Sequence, residues 1–159
     1  MRGRPGRGFT LIELVITVAI VGILAMTAMP MIEMTARRQK ETELRAALRE
    51  IRTGIDAYRR AVEDGKLEKK ADESGYPHRL EDLANGVDNV QDPNKGKIYF
   101  LRRLPRDPFA TDTDLSAAQT WGKRSYASPP DQPLEGADVF DVYSLAKGNG
   151  LNGVPYREW

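Results

Sequence analysis

The chain contains no cysteine and one histidine, His78. The first absence excludes disulfides and thiolate metal sites and leaves the redox compartment unreadable. The lone histidine lies between Pro77 and Arg79 in a loop-like stretch, where a solvated side chain is expected rather than a ligand or a base. Neither sign of charge predominates, with 24 Lys and Arg against 23 Asp and Glu. A nucleic-acid partner calls for a clustered basic excess that this balance does not supply. Internal repeats and low-complexity runs are also missing. The most informative absence is local: the 19 residues from Leu14 to Ile32 include no Asp, Glu, Lys or Arg. As a helix this run would be roughly 28 Å long, close to the hydrocarbon thickness of a bilayer.

What is present just before that run is more specific. Residues 8–24 read GFTLIELVITVAIVGIL, preceded by Arg2, Arg4 and Arg7. A secretory signal ends its apolar run in small residues at a cleavage site, and it keeps that run to about 7–15 residues. Here the run is longer and ends in Met26-Thr27-Ala28-Met29-Pro30, so a conventional signal fits poorly. A plain signal anchor would merely tolerate Glu13. An ionised carboxylate at a helix centre in lipid costs about 2.5–3.5 kcal/mol on insertion scales, less towards the end, and such residues mark functional sites.

GFTLIEL ahead of an apolar run resembles the class III signal of type IV pilins and of the pseudopilins of type II secretion systems. The resemblance covers Met1–Gly65 continuously and then patches to Gly150. YFLRRLPRDPF at 99–109 and FDVYSLAKGNG at 140–150 are similar to segments of the major pseudopilins, to which the chain is closest. The resemblance implies a leader, Met1–Gly8, cut by a membrane-embedded prepilin peptidase between Gly8 and Phe9. It implies N-methylation of Phe9. It also assigns Glu13 a partner, the charged amine of Phe9 on a neighbouring subunit, which would set the axial register of a filament. Charge pairing in low dielectric is steeply position-dependent, as a register device requires.

Beyond the run, Leu44, Leu48, Ile51, Ile55, Tyr58 and Val62 are spaced 4, 3, 4, 3 and 4 apart, one face of a helix. Glu41, Arg45, Arg49, Glu50, Arg52, Arg59 and Arg60 are expected on the solvated face, with Glu41 and Arg45 as an i,i+4 pair. Gly22 and Pro30 predict a kink or loosening in the apolar half, Gly54 weakens the second half slightly, and Gly65 is a stop. Lys123–Ala127 and Val139–Leu145 are strand candidates, and three or four antiparallel strands are expected on the helix. The fold class is α+β, a long N-terminal helix on a small antiparallel sheet, type IV pilin-like. The organisation expected is a leader at 1–8, a transmembrane half-helix at 9–32, an amphipathic periplasmic half at 33–65, and a periplasmic loop and sheet region at 66–159.

Positive charges flank both ends of the apolar run, so they do not orient it. A cytoplasmic N-terminus, a single pass of the bacterial inner membrane and a periplasmic C-terminal region follow from the resemblance. So do the partners: further copies in a filament, other pseudopilins and an inner-membrane assembly platform. Major pseudopilins carry calcium in the loop after the last strand. Calcium takes six to eight oxygens, several from carboxylates, whereas residues 144–153, SLAKGNGLNG, hold a lysine and two asparagines and no carboxylate. No cofactor is therefore expected: against a bound calcium stands a metal-free loop held by turns, with Tyr156 and Trp159 packing back. No enzyme is expected either: Ser125 and Ser144 sit in predicted strands, Asp107 reads as a turn cap, and Lys147-Gly148-Asn149-Gly150 opens no helix. Arg102, Arg103, Arg106, Lys123 and Arg124 could form a basic patch for DNA, but charged turns mixed with acids are the expected reading and no nucleic-acid partner is assigned.

Overall fold

A computed structural model describes residues 9–159, and among these the side chains of all but 27–31. Helix α1 runs from Leu11 to Glu63, 53 residues. The chain divides into two compact units, one reaching to Gln39 and the other spanning Lys40–Trp159.

In the first unit the apolar side chains face outward around the whole helix. Phe9, Leu11, Ile20, Leu24 and Met26 are all more than half exposed. A helix that is hydrophobic all round has no stable place in water on its own. Helical structure is assigned without a break through Gly22 and Pro30, so neither residue ends α1. The expected kink at Pro30 concerns a side chain outside those described. Among the described residues no helix is long and apolar enough to cross a membrane.

In the second unit the stripe read from the sequence is the core. Leu44, Leu48, Ile51, Ile55 and Tyr58 are buried against Leu80, Leu83, Leu101, Trp121, Val142 and Tyr156. Each fully buried aliphatic side chain contributes about 1.5–3 kcal/mol. Gly54 has a packing reason beyond helix propensity: a Cβ there would lie 3.1 Å from Leu101 Cγ, so its absence lets Leu101 pack against the helix. The helix ends as expected. Gly65 adopts φ +71°, its N–H reaches Val62 O, and Lys66 N–H reaches Ala61 O, the paired bonds of a Schellman cap.

The sheet is smaller and more divided than expected. Helix α2 (Asp82–Asn85) leads into β1 (Val87–Asp88), which pairs antiparallel with β2 (Lys97–Ile98). A second antiparallel pair joins β3 (Trp121–Arg124) to β4 (Asp141–Ser144), with Trp121 opposite Ser144 and Arg124 opposite Asp141. The four strands match the expected number, but they form two separate two-stranded pieces rather than one sheet. The predicted strand at Lys123–Ala127 begins earlier and stops at Arg124. There the Asp138 carboxylate captures Tyr126 N–H at 2.8 Å and Ser128 N–H turns back to Ser125 O, which bends the chain out of extension. The other predicted strand shortens to Asp141–Ser144 because Val139 N–H leaves the ladder for Pro77 O. Residues 99–109 join no sheet. They are fixed by Phe100 and Leu101 N–H on Leu83 O and by Trp121 Nε1 donating to Pro105 O at 2.9 Å.

Candidate functional sites at the start of the helix and at the C-terminal loop

Of the residues singled out at the N-terminus, the leader and Gly8 lie outside the described residues. Phe9 and Thr10 precede α1, and Phe9 is exposed. Thr10 is the helix cap: its Oγ1 accepts from Glu13 N–H at 3.3 Å, and its carbonyl accepts from Leu14 N–H at 3.2 Å. Thr-x-x-Glu is the sequence signature of a capping box. Glu13 is exposed in the first turn, where a negative charge is favoured by the helix dipole. Thr17 Oγ1 donates to Glu13 O and Leu14 O, so its polar group is satisfied within the helix. The arrangement presents one carboxylate beside an exposed aromatic residue, at the head of an exposed apolar helix. Gly22 contributes no bulk here, since nothing lies within 4 Å of where its Cβ would be.

The charged face of the second half of α1 differs from expectation. Glu41 is buried at 4% exposure rather than solvated. It lies three residues before Leu44 and so continues the apolar stripe. Arg52 stays partly exposed but is held by the fold. Its guanidinium donates to Asp141 Oδ1 at 2.8 Å, Val142 O at 3.1 Å and the main-chain oxygen of Trp159 at 2.7 Å. Arg45 lies over the Trp159 ring at 4.3 Å and Arg59 over Tyr76 at 5.2 Å, and Arg59 also donates to Ser74 O and Glu63. Sequence reasoning sorted these residues by polarity. The available signal was the register of Glu41 with Leu44 and Leu48.

The C-terminal loop is held as follows. Asp107 is buried, caps Phe109 N–H at 2.8 Å as a turn residue should, and also accepts the Ser144 hydroxyl. Gly150 N–H bonds Val154 O, Gly153 N–H bonds Gly150 O, and Tyr156 N–H bonds Gly148 O. Tyr156 packs on Phe109 with ring centroids 4.5 Å apart and edge-on to Trp159 at 5.1 Å. Glu41 Oε1 accepts Leu151 N–H at 2.8 Å and the Tyr156 hydroxyl at 3.0 Å. This donor set does not fit a calcium ion. Gly148 O and Gly150 O accept main-chain donors, Asn152 Oδ1 accepts Val154 N–H at 3.1 Å, and Lys147 brings a cation. Calcium calls instead for several converging carboxylate and carbonyl oxygens. Among the described residues no group of three or more His, Asp or Glu could hold a metal.

The remaining candidates make local contacts. Exposed His78 meets Ala137 O through Nδ1 at 3.0 Å and lies 3.4 Å from Glu73 through Nε2. Ser125, one residue past β3, donates to Asp138 at 2.8 Å. Burial alone would raise the Asp138 carboxyl, but hydrogen bonds from Ser74, Tyr126 and Ser125, together with nearby His78, hold it below its ordinary value. Of the basic residues considered for DNA, Arg124 pairs with Asp141, Lys123 with Glu135, and Arg106 donates to Leu115 O and Asp112 O.

Comparison with known proteins decides the family. Residues 4–29 match the prokaryotic N-terminal methylation motif. The chain is 30% identical to type II secretion system core protein G of Pseudomonas aeruginosa, over 100% of this chain and 99% of that relative. It is 32% identical to core protein G of Vibrio cholerae, over 98% and 93%. The chain belongs to the core protein G family, the major pseudopilins of type II secretion systems. It is also 38% identical to the type IV major alpha-pilin of Moraxella bovis, over 96% of this chain and 91% of that pilin. No solved structure matches. The α+β architecture, with α1 laid on small antiparallel pairs, agrees with the pilin-like fold expected from the resemblance.

Proposed function

We propose that the chain is a structural subunit of a type II secretion pseudopilus, a periplasmic filament that helps export folded proteins. One observation carries this reading: the GFTLIEL motif runs into an exposed apolar helix, in a chain collinear with core protein G over nearly its whole length. Prepilin peptidase cuts between Gly8 and Phe9, and Phe9 is then N-methylated. Cleavage before the apolar run leaves that run on the mature protein. The 19 charge-free residues from Leu14 to Ile32 then hold the subunit in the inner membrane in a single pass, with the N-terminus cytoplasmic and residues 33–159 periplasmic. On assembly, Glu13 meets the Phe9 amine of a neighbouring copy and sets the register. Gly22 and Pro30 give the apolar half its local looseness. The work is structural rather than catalytic, and the partners are the peptidase, further copies, other pseudopilins and the inner-membrane platform.

The relationship to the Moraxella bovis pilin favours a second reading, a type IV pilin acting in adhesion, motility or DNA uptake. Deleting the gene and following exported proteins and surface fibres side by side separates the two. Folded proteins retained in the periplasm with fibres intact are expected. Normal export with fibres lost would move the chain to the pilus class.

A further inference from the structure

We propose that Glu41 does in this chain what a bound calcium would do elsewhere: it organises the C-terminal loop, and the fold is independent of the metal. The loop between Ser144 and Tyr156 is fastened at three places by two protein carboxylates. Asp107 takes the Ser144 hydroxyl at its start. Glu41, from the buried stripe of α1, takes Leu151 N–H in its middle at 2.8 Å and the Tyr156 hydroxyl at its end at 3.0 Å. A metal in such a loop collects oxygens around a positive centre. Here the polarity is reversed, with a negative group collecting hydrogen-bond donors, which are the stronger, charge-assisted kind.

Three features suit the reversed arrangement. Glu41 is 4% exposed, so water competes little for its oxygens. The loop carries the exposed Lys147, whose charge opposes a bound cation. At Gly150 a Cβ would lie 2.2 Å from Trp159 Cζ2, so the missing side chain lets Trp159 close over the turn next to Leu151. Arg45, 4.3 Å from the Trp159 ring centroid, and Arg52 on the Trp159 main-chain oxygen tie the same tail to α1. Glu41 thus links the helix that carries the assembly segment to the far end of the chain.

The test uses the full processed chain in detergent micelles, with added calcium chloride or with a calcium chelator. Two readouts are followed, the melting temperature and hydrogen exchange at the Leu151 amide. The wild type is expected to melt at the same temperature and to protect Leu151 equally in both conditions. Glu41→Ala is expected to lower melting by roughly 5–10 °C and to speed Leu151 exchange about tenfold or more, with no rescue by calcium. Tyr156→Phe keeps the ring on Phe109 and removes only the hydroxyl, so a smaller drop is expected, and it stands in if Glu41→Ala does not fold. Calcium raising the wild-type melting temperature or slowing Leu151 exchange would overturn the proposal. So would a Tyr156→Phe protein that melts with the wild type. These readouts do not involve export or fibres, so their failure is distinct from failure of the pseudopilus reading.

Discussion

The two halves of α1 place the same residue types under opposite physics. Between Leu11 and Met26 the described aliphatic side chains are exposed. Between Leu44 and Tyr58 equally apolar residues are almost fully covered by the loops and strands of the second unit. A hydrophobic side chain stabilises a fold only where folding removes it from water. The first half therefore adds little to the stability of the fold in water, and the second half supplies its core. The polar residues reverse in the same way. Glu13 is an exposed carboxylate in an apolar setting, and Glu41 is a buried carboxylate whose donors come from the chain itself.

The contrast can be broken most sharply with matched truncations. Ile51→Ala is expected to cost about 2–5 kcal/mol of stability, because it leaves a cavity in the core. Val18→Ala, on the exposed half, is expected to leave the unfolding of the second unit unchanged within about 0.5 kcal/mol. Chemical denaturation of the two variants beside the wild type checks both. An equal loss in both would abolish the distinction between the halves.

The next effect is on assembly rather than stability. Glu13→Ala is expected to insert and be cleaved normally but to lose about tenfold or more of its filament yield, read by shearing or crosslinking filaments from cells that export. Thr10→Ala removes the cap on Glu13 N–H without removing the carboxylate, and should cost only about 1 kcal/mol of helix-end stability. If the two variants assembled equally well, Glu13 would be acting as part of the helix cap and not as a register charge.

The smallest expected effect concerns Asp138, which fixes the end of β3. Its carboxyl is held below its ordinary value in the folded protein, so the unfolded chain binds the proton more readily. Its stabilising contribution is therefore complete above the ordinary carboxylate range and is lost as pH falls through the lowered folded value. Asp138→Asn should lower stability by about 1 kcal/mol at neutral pH and flatten this part of the acid dependence. Melting curves across the acidic range measure it. An unchanged acid limb in the variant would mean that the Ser125 and Tyr126 hydrogen bonds do not depend on the charge.

Much of the function was legible because it is written locally. The N-terminal motif, the apolar run and the stop at Gly65 are each set by residues close in sequence, where helix geometry relates neighbours by a known period. The stripe from Leu44 to Tyr58 was legible for the same reason. The strand limits were less so. What ends β3 is a side chain at position 138 capturing an amide at 126, a pairing that no local pattern records.

The identity of the family and the order of apolar, amphipathic and mixed segments needed only the sequence, because motif and periodicity are properties of the chain as written. Tertiary structure alone decided that Glu41 is buried against the C-terminal tail and that the partly exposed Arg52 bonds to it, at separations of 110 and 107 residues. Polarity predicts the usual environment of a side chain. Only the folded chain brings to it, across such distances, the donors and acceptors that make a buried charge stable.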